Sequence, residues 1–298
     1  MPGIALHFVL AERALAQWQI SGYAPCDPAD PDVVNAFYHG AVGPDLGYLP
    51  GGHRPLSELA HSVRSGQLTR CLIETARTPI ERAFAWGWLT HVLGDREIHP
   101  WVGRGVGELR TGCRYTFVAG GTDPLTHLRV ELGVDCWYAA HHSAARAIRL
   151  RPAFDAVSIV FLERAYQRTY GLSLPRRLLL DSHRAVGRRA GQALAAMCVL
   201  GRLTGQARSP LALSVVGWLL RAAYRVRSLQ GPPLAFLNPV APARWLLEGI
   251  SAAAAAHADL FTEALRSGGR DLADYDLDTG VLASTPGHAP AIGAVVEA

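Results

Sequence analysis

The sequence predicts an all-α fold, and three observations predict it. Apolar residues recur at helical spacing in segment after segment, as Leu6, Val9, Leu10, Ala14 and Trp18 do near the start. No stretch has the period-two alternation of a half-buried strand, and no internal repeat stands out. Beyond Arg151 each helical stretch is bounded by Pro or Gly. With 298 residues, 49% of them hydrophobic, the chain can bury a large core of on the order of nine or ten helices.

The first helical pattern opens around His7 and gives way to a Pro/Asp-rich loop over 21–31. A second helix runs over 33–38 and should stop by Gly40. The Gly/Pro loop 41–55 carries Asp45 and His53, and is irregular enough to bring a carboxylate to a metal. Residues 55–65 read as a helix presenting His61, and 67–76 as another. Thr78-Pro79 with Glu81 is a helix start, because Pro suits the first turn. Residues 102–121 are Gly-rich and read as irregular; Asp123-Pro124 then starts a helix that extends toward Arg149. Further helices read over 154–170, 175–203, 210–228 and 242–265, and a loosely ordered acidic tail from Ser267. The expected organisation is a metal-binding helical region over 1–150, an Arg-rich helical extension packed on it over 151–266, and the tail over 267–298.

The helix after Thr78 holds the densest chemistry. His91 and Asp95 lie one turn apart on one face, among apolar Ala85, Trp88, Leu89, Val92 and Leu93. An inward-facing polar pair needs partners, and His with Asp one turn on is a common metal-holding arrangement. His127 and Glu131 repeat the spacing, with Asp135 a further turn along. His91 and His99 would be roughly 12 Å apart on a straight helix, whereas ligand bonds are about 2.0–2.2 Å. Pro100 disfavours helical geometry at His99, so either the helix runs on or the chain turns there. On both readings more than one ion is called for. Nitrogen and oxygen donors without Cys favour zinc. Trp86, Trp88 and Trp101 read as core; His39, which with His53 flanks the Asp45 loop, reads as a loop histidine or as a donor supporting a ligand; His141, His142, His183, His257 and His288 fit no ligand spacing.

Composition bounds the setting. Five cysteines, odd in number and without a CxxC, fit a reducing compartment. The N-terminus lacks the basic head and apolar core of a signal peptide. The longest apolar run, 211–220, is far short of the roughly 20 residues that a bilayer span needs. A cytoplasmic address is therefore expected. Every one of the 29 basic residues is Arg, which suits a GC-rich bacterial genome. Charge is uneven: 1–145 has 11 Arg against 14 acidic residues, 146–227 has 15 against 3, and 228–298 has 3 against 8. The middle block is either a solvated face or a surface for phosphate or an anionic membrane.

His7, the loop GAVGPDLGY with Asp45, LSELAHS with His61, GWLTHVLGDREIHP and HLRVE come in a characteristic order. Together they resemble the zinc-dependent phospholipase C family, whose all-helical fold is shared with single-strand-specific nucleases. The resemblance covers roughly 5–150. It implies that His61, His91 and Asp95 bind one zinc, and His99, His127 and Glu131 a second. Asp95 would bridge to a third ion shared with His7 and the chain's N-terminus, giving two or three zincs. Secreted members hold that third ion with a mature N-terminal Trp, where this chain has Met1-Pro2-Gly3 before His7. Asp45 would serve the paired zincs as ligand or as base for the attacking water. His53 and Asp135 are candidates to support the ligands.

The expected activity is hydrolysis of a small phosphoester or phospholipid by metal-activated water. The alternatives are a nuclease or nucleotidase on the same fold, and a non-catalytic helical zinc protein that binds a partner or anionic surface.

Overall fold

The structure, a computed structural model, describes residues 3–49, 51–142, 148, 150–206 and 239–286. Nine helices are present among them: α1 (Ile4–Ser21), α2 (Pro31–Ala41), α3 (Arg54–Ser62), α4 (Ser65–Thr75), α5 (Pro79–Thr111), α6 (Pro124–His141), α7 (Val160–Tyr170), α8 (Arg176–Gln206) and α9 (Arg244–Ser267). One hairpin follows, β1 (Tyr275–Asp276) paired antiparallel with β2 (Val281–Leu282). The class is all-α.

Helix α5 is the axis of the molecule. Its start is a capping box: Thr78 Oγ1 accepts the Glu81 N–H at 3.2 Å, and Glu81 Oε2 accepts the Thr78 N–H at 3.0 Å. It then runs unbroken through Pro100 to Thr111 and stops at Gly112, whose φ of 74° suits a left-handed cap. The helix therefore neither turns at His99 nor dissolves over 102–111. Pro100 deprives the Arg96 carbonyl of its usual donor. Burial of Ile98, Val102 and Val106 holds the line, and the chain at Gly280 packs so closely over this spot that a Cβ there would sit 2.8 Å from Arg96 O.

Glycines set the closest approach. A Cβ at Gly40 would fall 2.1 Å from Phe84 O, and one at Gly87 2.0 Å from Phe37 O. Gly40 thus lies inside α2, one residue before its end, because it lets α2 and α5 touch backbone to backbone; it does not stop the helix. Trp18, Trp88 and Phe37 fill the core around this contact, and Trp101 is half-buried.

The later helices pack on this frame. Gly249 of α9 seats against the Trp101 ring, Phe261 of α9 meets Phe37 edge-on at 6.1 Å, and Gly201 of α8 lies against Cys136 O of α6. Helix α6 ends at His141, well short of Arg149. Helix α7 begins at Val160, not 154, because Asp155 Oδ1 accepts the Val157 and Ser158 N–H groups in a turn of its own. The helix expected over 210–228 lies outside the described residues. Over 268–286 the chain differs from the loose tail expected there: it forms the hairpin, with Leu277 fully buried. Residues 287–298 lie outside the described residues.

Candidate metal centre

Five segments deliver eight side chains to one buried place. Helix α1 brings His7, the turn after α2 Asp45, and α3 His61. Helix α5 brings His91, Asp95 and His99, and α6 brings His127 and Glu131. All eight are buried. Three sets lie close enough to hold an ion: His7 with His91 and Asp95; Asp45 with His61 and His91; His99 with His127 and Glu131.

Asp95 faces two of these sets with its two oxygens. Oδ1 is 3.1 Å from His7 Nε2, and Oδ2 is 3.1 Å from His91 Nε2 and 3.4 Å from His61 Nε2. Oδ1 also lies 3.7 Å from His99 Nε2, linking toward the third set. There Glu131 Oε1 is 3.1 Å from His99 Nε2 and 3.0 Å from His127 Nε2. Asp45 Oδ1 stands 3.3 Å from His61 Nε2. A cavity of about 20 Å³ opens between the sets, lined among others by His7, Asp95, His99 and Glu131.

The tautomers are set by the main chain. His61 Nδ1–H donates to Ser57 O at 2.8 Å, His91 Nδ1–H to Ala41 O at 3.0 Å, and His99 Nδ1–H to Leu277 O at 2.7 Å. A carbonyl only accepts, so each Nδ1 carries a proton and each Nε2 faces inward, where it can hold a second proton or a metal. Two of those nitrogens, on His61 and His91, face each other at 3.2 Å. Opposite them are carboxylate oxygens, Asp45 Oδ1 at 3.3 Å from His61 Nε2 and Asp95 Oδ2 at 3.4 and 3.1 Å from the Nε2 atoms of His61 and His91. Imidazole nitrogens and carboxylate oxygens converging in a buried site call for a cation. The residues therefore fit a metal, and backbone anchoring of the far ring nitrogen is how ligating histidines are held.

Titration behaviour agrees. Burial alone would lower His61, but hydrogen bonds to Asp45 and Asp95 push it up to about 10. His99 is likewise pushed to about 10, Asp95 and Glu131 overcoming its burial. Against burial, the surrounding imidazoles hold Asp95 well below the usual carboxylate range, His91 first among them, and His127 leads in doing the same for Glu131. Burial, only partly offset by Asp95, lowers His91. Protons on Nε2 supply the positive charge that the carboxylates demand, and a metal would displace them.

Two residues picked out from the sequence do not join the three ligand sets. His53 is exposed at the N-cap of α3, and it is its main chain that is tied in: its N–H donates to Ser182 Oγ at 2.9 Å. Asp135 is fully buried but caps α1, accepting the Ala5 and Leu6 N–H groups at 3.1 and 3.0 Å. It thereby fixes the helix that carries His7. Sequence reasoning missed the Leu277 carbonyl, which orients His99, and Asp278, whose Oδ1 is 3.7 Å from His127 Nε2. A run of alternating aspartates at 274, 276 and 278 was the only visible signal. Of the histidines set aside, His183 and His257 are buried and bonded to main chain, and neither is in a ligand set. His288 lies outside the described residues.

A family model described as zinc dependent phospholipase C matches residues 6–172, more than half of the chain and all eight clustered side chains. No curated protein and no solved structure matches.

Proposed function

Since the chain belongs to the zinc-dependent phospholipase C family, a family of hydrolases, we propose that it hydrolyses a phosphodiester of the phospholipid type with zinc and water. The observation that carries this is the set of three imidazoles whose Nδ1–H groups are spent on main-chain carbonyls while their Nε2 atoms converge on Asp45, Asp95 and Glu131. Asp45, His61 and His91 would hold one ion, and His99, His127 and Glu131 another. His7 with Asp95 would hold a third, Asp95 being shared. Among the described residues no helix is long and apolar enough to cross a membrane.

When bound, zinc polarises a phosphoryl oxygen and lowers the pKa of a water toward about 7. The chain's own groups do the rest. Asp45 is buried, with Oδ1 3.3 Å from His61 Nε2. It is the group assigned to take the proton of the attacking water. His61, His91 and His99 keep their orientation through their Nδ1 anchors. Leu6, Ile98, Val102 and Val134 line the apolar side of the cavity and exclude bulk water.

A second reading has a specific observation in its favour. Tyr115 and Phe117 are exposed on the loop from α5 to α6, whose end at Gly121 touches Asp278 beside His127. Exposed rings near the centre suit base stacking by a nuclease as well as contact with acyl chains. The test is hydrolysis of bis(p-nitrophenyl) phosphate, abolished by chelator and restored by zinc. Short-chain phosphatidylcholine against single-stranded DNA then separates the two substrates. Absence of any zinc-dependent hydrolysis would leave the third alternative, a zinc protein without catalysis.

A further inference from the structure

The hairpin after α9 meets the metal sets at more than one point. Its paired strands are two residues each, too short to hold a shape alone. Its surroundings fix it instead. Ser65 Oγ donates to Tyr275 O at 2.6 Å and accepts the Tyr275 N–H at 3.1 Å, and Asp274 Oδ1 accepts the Gln67 N–H at 2.7 Å. These contacts bolt it to the start of α4. Leu277, fully buried, donates its N–H to His61 O at 2.9 Å and takes the His99 Nδ1–H on its own carbonyl. One residue thus touches a histidine from each of two metal sets.

Asp278 comes next. Its N–H donates to Asp276 Oδ1 at 3.0 Å, and its Oδ2 accepts the Gly121 N–H at 3.3 Å. That leaves Oδ1 aimed at His127 Nε2, 3.7 Å away. The approach depends on glycine at 120, where a Cβ would lie 2.4 Å from Asp278 Oδ1 and 3.0 Å from His127 Nδ1. The turn is completed at Gly280, φ 70°, pressed against Arg96 O and Pro100. Main-chain bonds and close packing therefore set the direction of this carboxylate. Its side chain is 22% exposed, placing it where the buried set meets solvent.

The His99, His127 and Glu131 set offers three donors, which leaves one of the four positions that zinc normally takes open to water or to a further side chain. Neighbouring donors around a tetrahedral zinc are about 3.4 Å apart for bonds near 2.1 Å. Glu131 to His127 at 3.0 Å, Glu131 to His99 at 3.1 Å and Asp278 to His127 at 3.7 Å bracket that value.

We infer that Asp278 is the fourth protein donor to the ion held by His99, His127 and Glu131, and that the hairpin is a working part of the metal centre although it lies beyond the residues matched by the family model. The inference rests on the proposed metal centre. The test measures zinc per chain and zinc affinity by chelator competition, together with the visible absorption of the cobalt-substituted protein. The variants are Asp278→Asn, Asp278→Glu and His127→Ala. Asparagine keeps the shape and an acceptor for Gly121, so a merely structural contact would survive it. The expected result is that Asp278→Asn weakens one zinc per chain by about 100-fold or more and alters one cobalt site. Glutamate, with its carboxylate restored, recovers part of the affinity. Wild-type affinity and spectrum in Asp278→Asn, beside a His127→Ala variant that has lost one zinc, would overturn the inference and leave the centre standing. Full zinc in His127→Ala would instead overturn the centre, and the inference with it.

Discussion

Asp95 joins the metal sets more than any other residue, because its two oxygens face His7 on one side and His61 and His91 on the other. Asparagine has nearly its shape but no charge. Asp95→Asn is expected to lose zinc and hydrolysis together while the helices persist. The stranded imidazoles should cost about 1–3 kcal/mol of stability, read by urea unfolding. Asp135, four residues beyond Glu131, behaves differently because both its oxygens accept α1 amides. In Asp135→Asn an amide NH₂ would confront one of those donors. The start of α1 should loosen by a similar ~1–3 kcal/mol, with the zinc of His99, His127 and Glu131 retained. Loss of that zinc would make Asp135 a ligand after all. The contrast was not readable from spacing. Asp95 and Asp135 each follow a metal-type residue by one turn, and only the tertiary contact of α6 with α1 gives the second its separate role.

At the scale of elements, α8 carries two testable features. His183 docks it onto the segment before α7, its Nε2 accepting the Ala153 and Phe154 N–H groups at 3.0 and 3.1 Å. Burial, followed by Arg184, pushes this histidine down to about 4. Its neighbour His39, rings 4.2 Å apart, is also lowered, chiefly by burial. An unfolded histidine titrates near ~6.5. Below that pH the unfolded chain takes up a proton that the folded chain refuses. The stability from His183 is thus complete above about 6.5 and lost as pH falls toward 4, by roughly 3 kcal/mol. Urea unfolding of chelator-treated protein between pH 7 and 4.5 should show the slope, and His183→Gln should reduce it, the remainder coming from groups such as His39 and His257 that are lowered too; an unchanged slope in the variant would refute the assignment. The opposite face of α8 exposes Arg184, Arg188 and Arg189. If this block meets an anionic membrane, each is worth about 1 kcal/mol. Arg184→Gln, Arg188→Gln and Arg189→Gln combined should then reduce binding to phosphatidylserine vesicles about 100-fold without removing zinc. Equal binding at low salt would leave a solvated face. Elements were legible where a local signal dictates structure, as with the Thr78-Pro79-Glu81 start of α5. They were misread where packing overrides a local rule. Pro100 stays helical because α5 is buried and covered at Gly280. Two-residue strands carry no periodicity to detect, so the hairpin read as tail.

For the molecule as a whole, the all-α class followed from periodicity, and the i,i+4 pairs His91/Asp95 and His127/Glu131 marked the two helices that bear the centre. His7, Asp45 and His61 lie too far apart in sequence for spacing to join them; only their order, as a family resemblance, did so. Asp278 joined neither signal, since it reaches His127 through a turn fixed by contacts to four other segments. What unites these observations is one claim, that the buried imidazoles and carboxylates form a multinuclear zinc centre. Eight converging donors exceed the four of a single zinc. The most direct measurement is zinc per chain, by elemental analysis of protein purified without chelator. Two or three zincs per chain is the predicted result. A stoichiometry of one, or none, would contradict it.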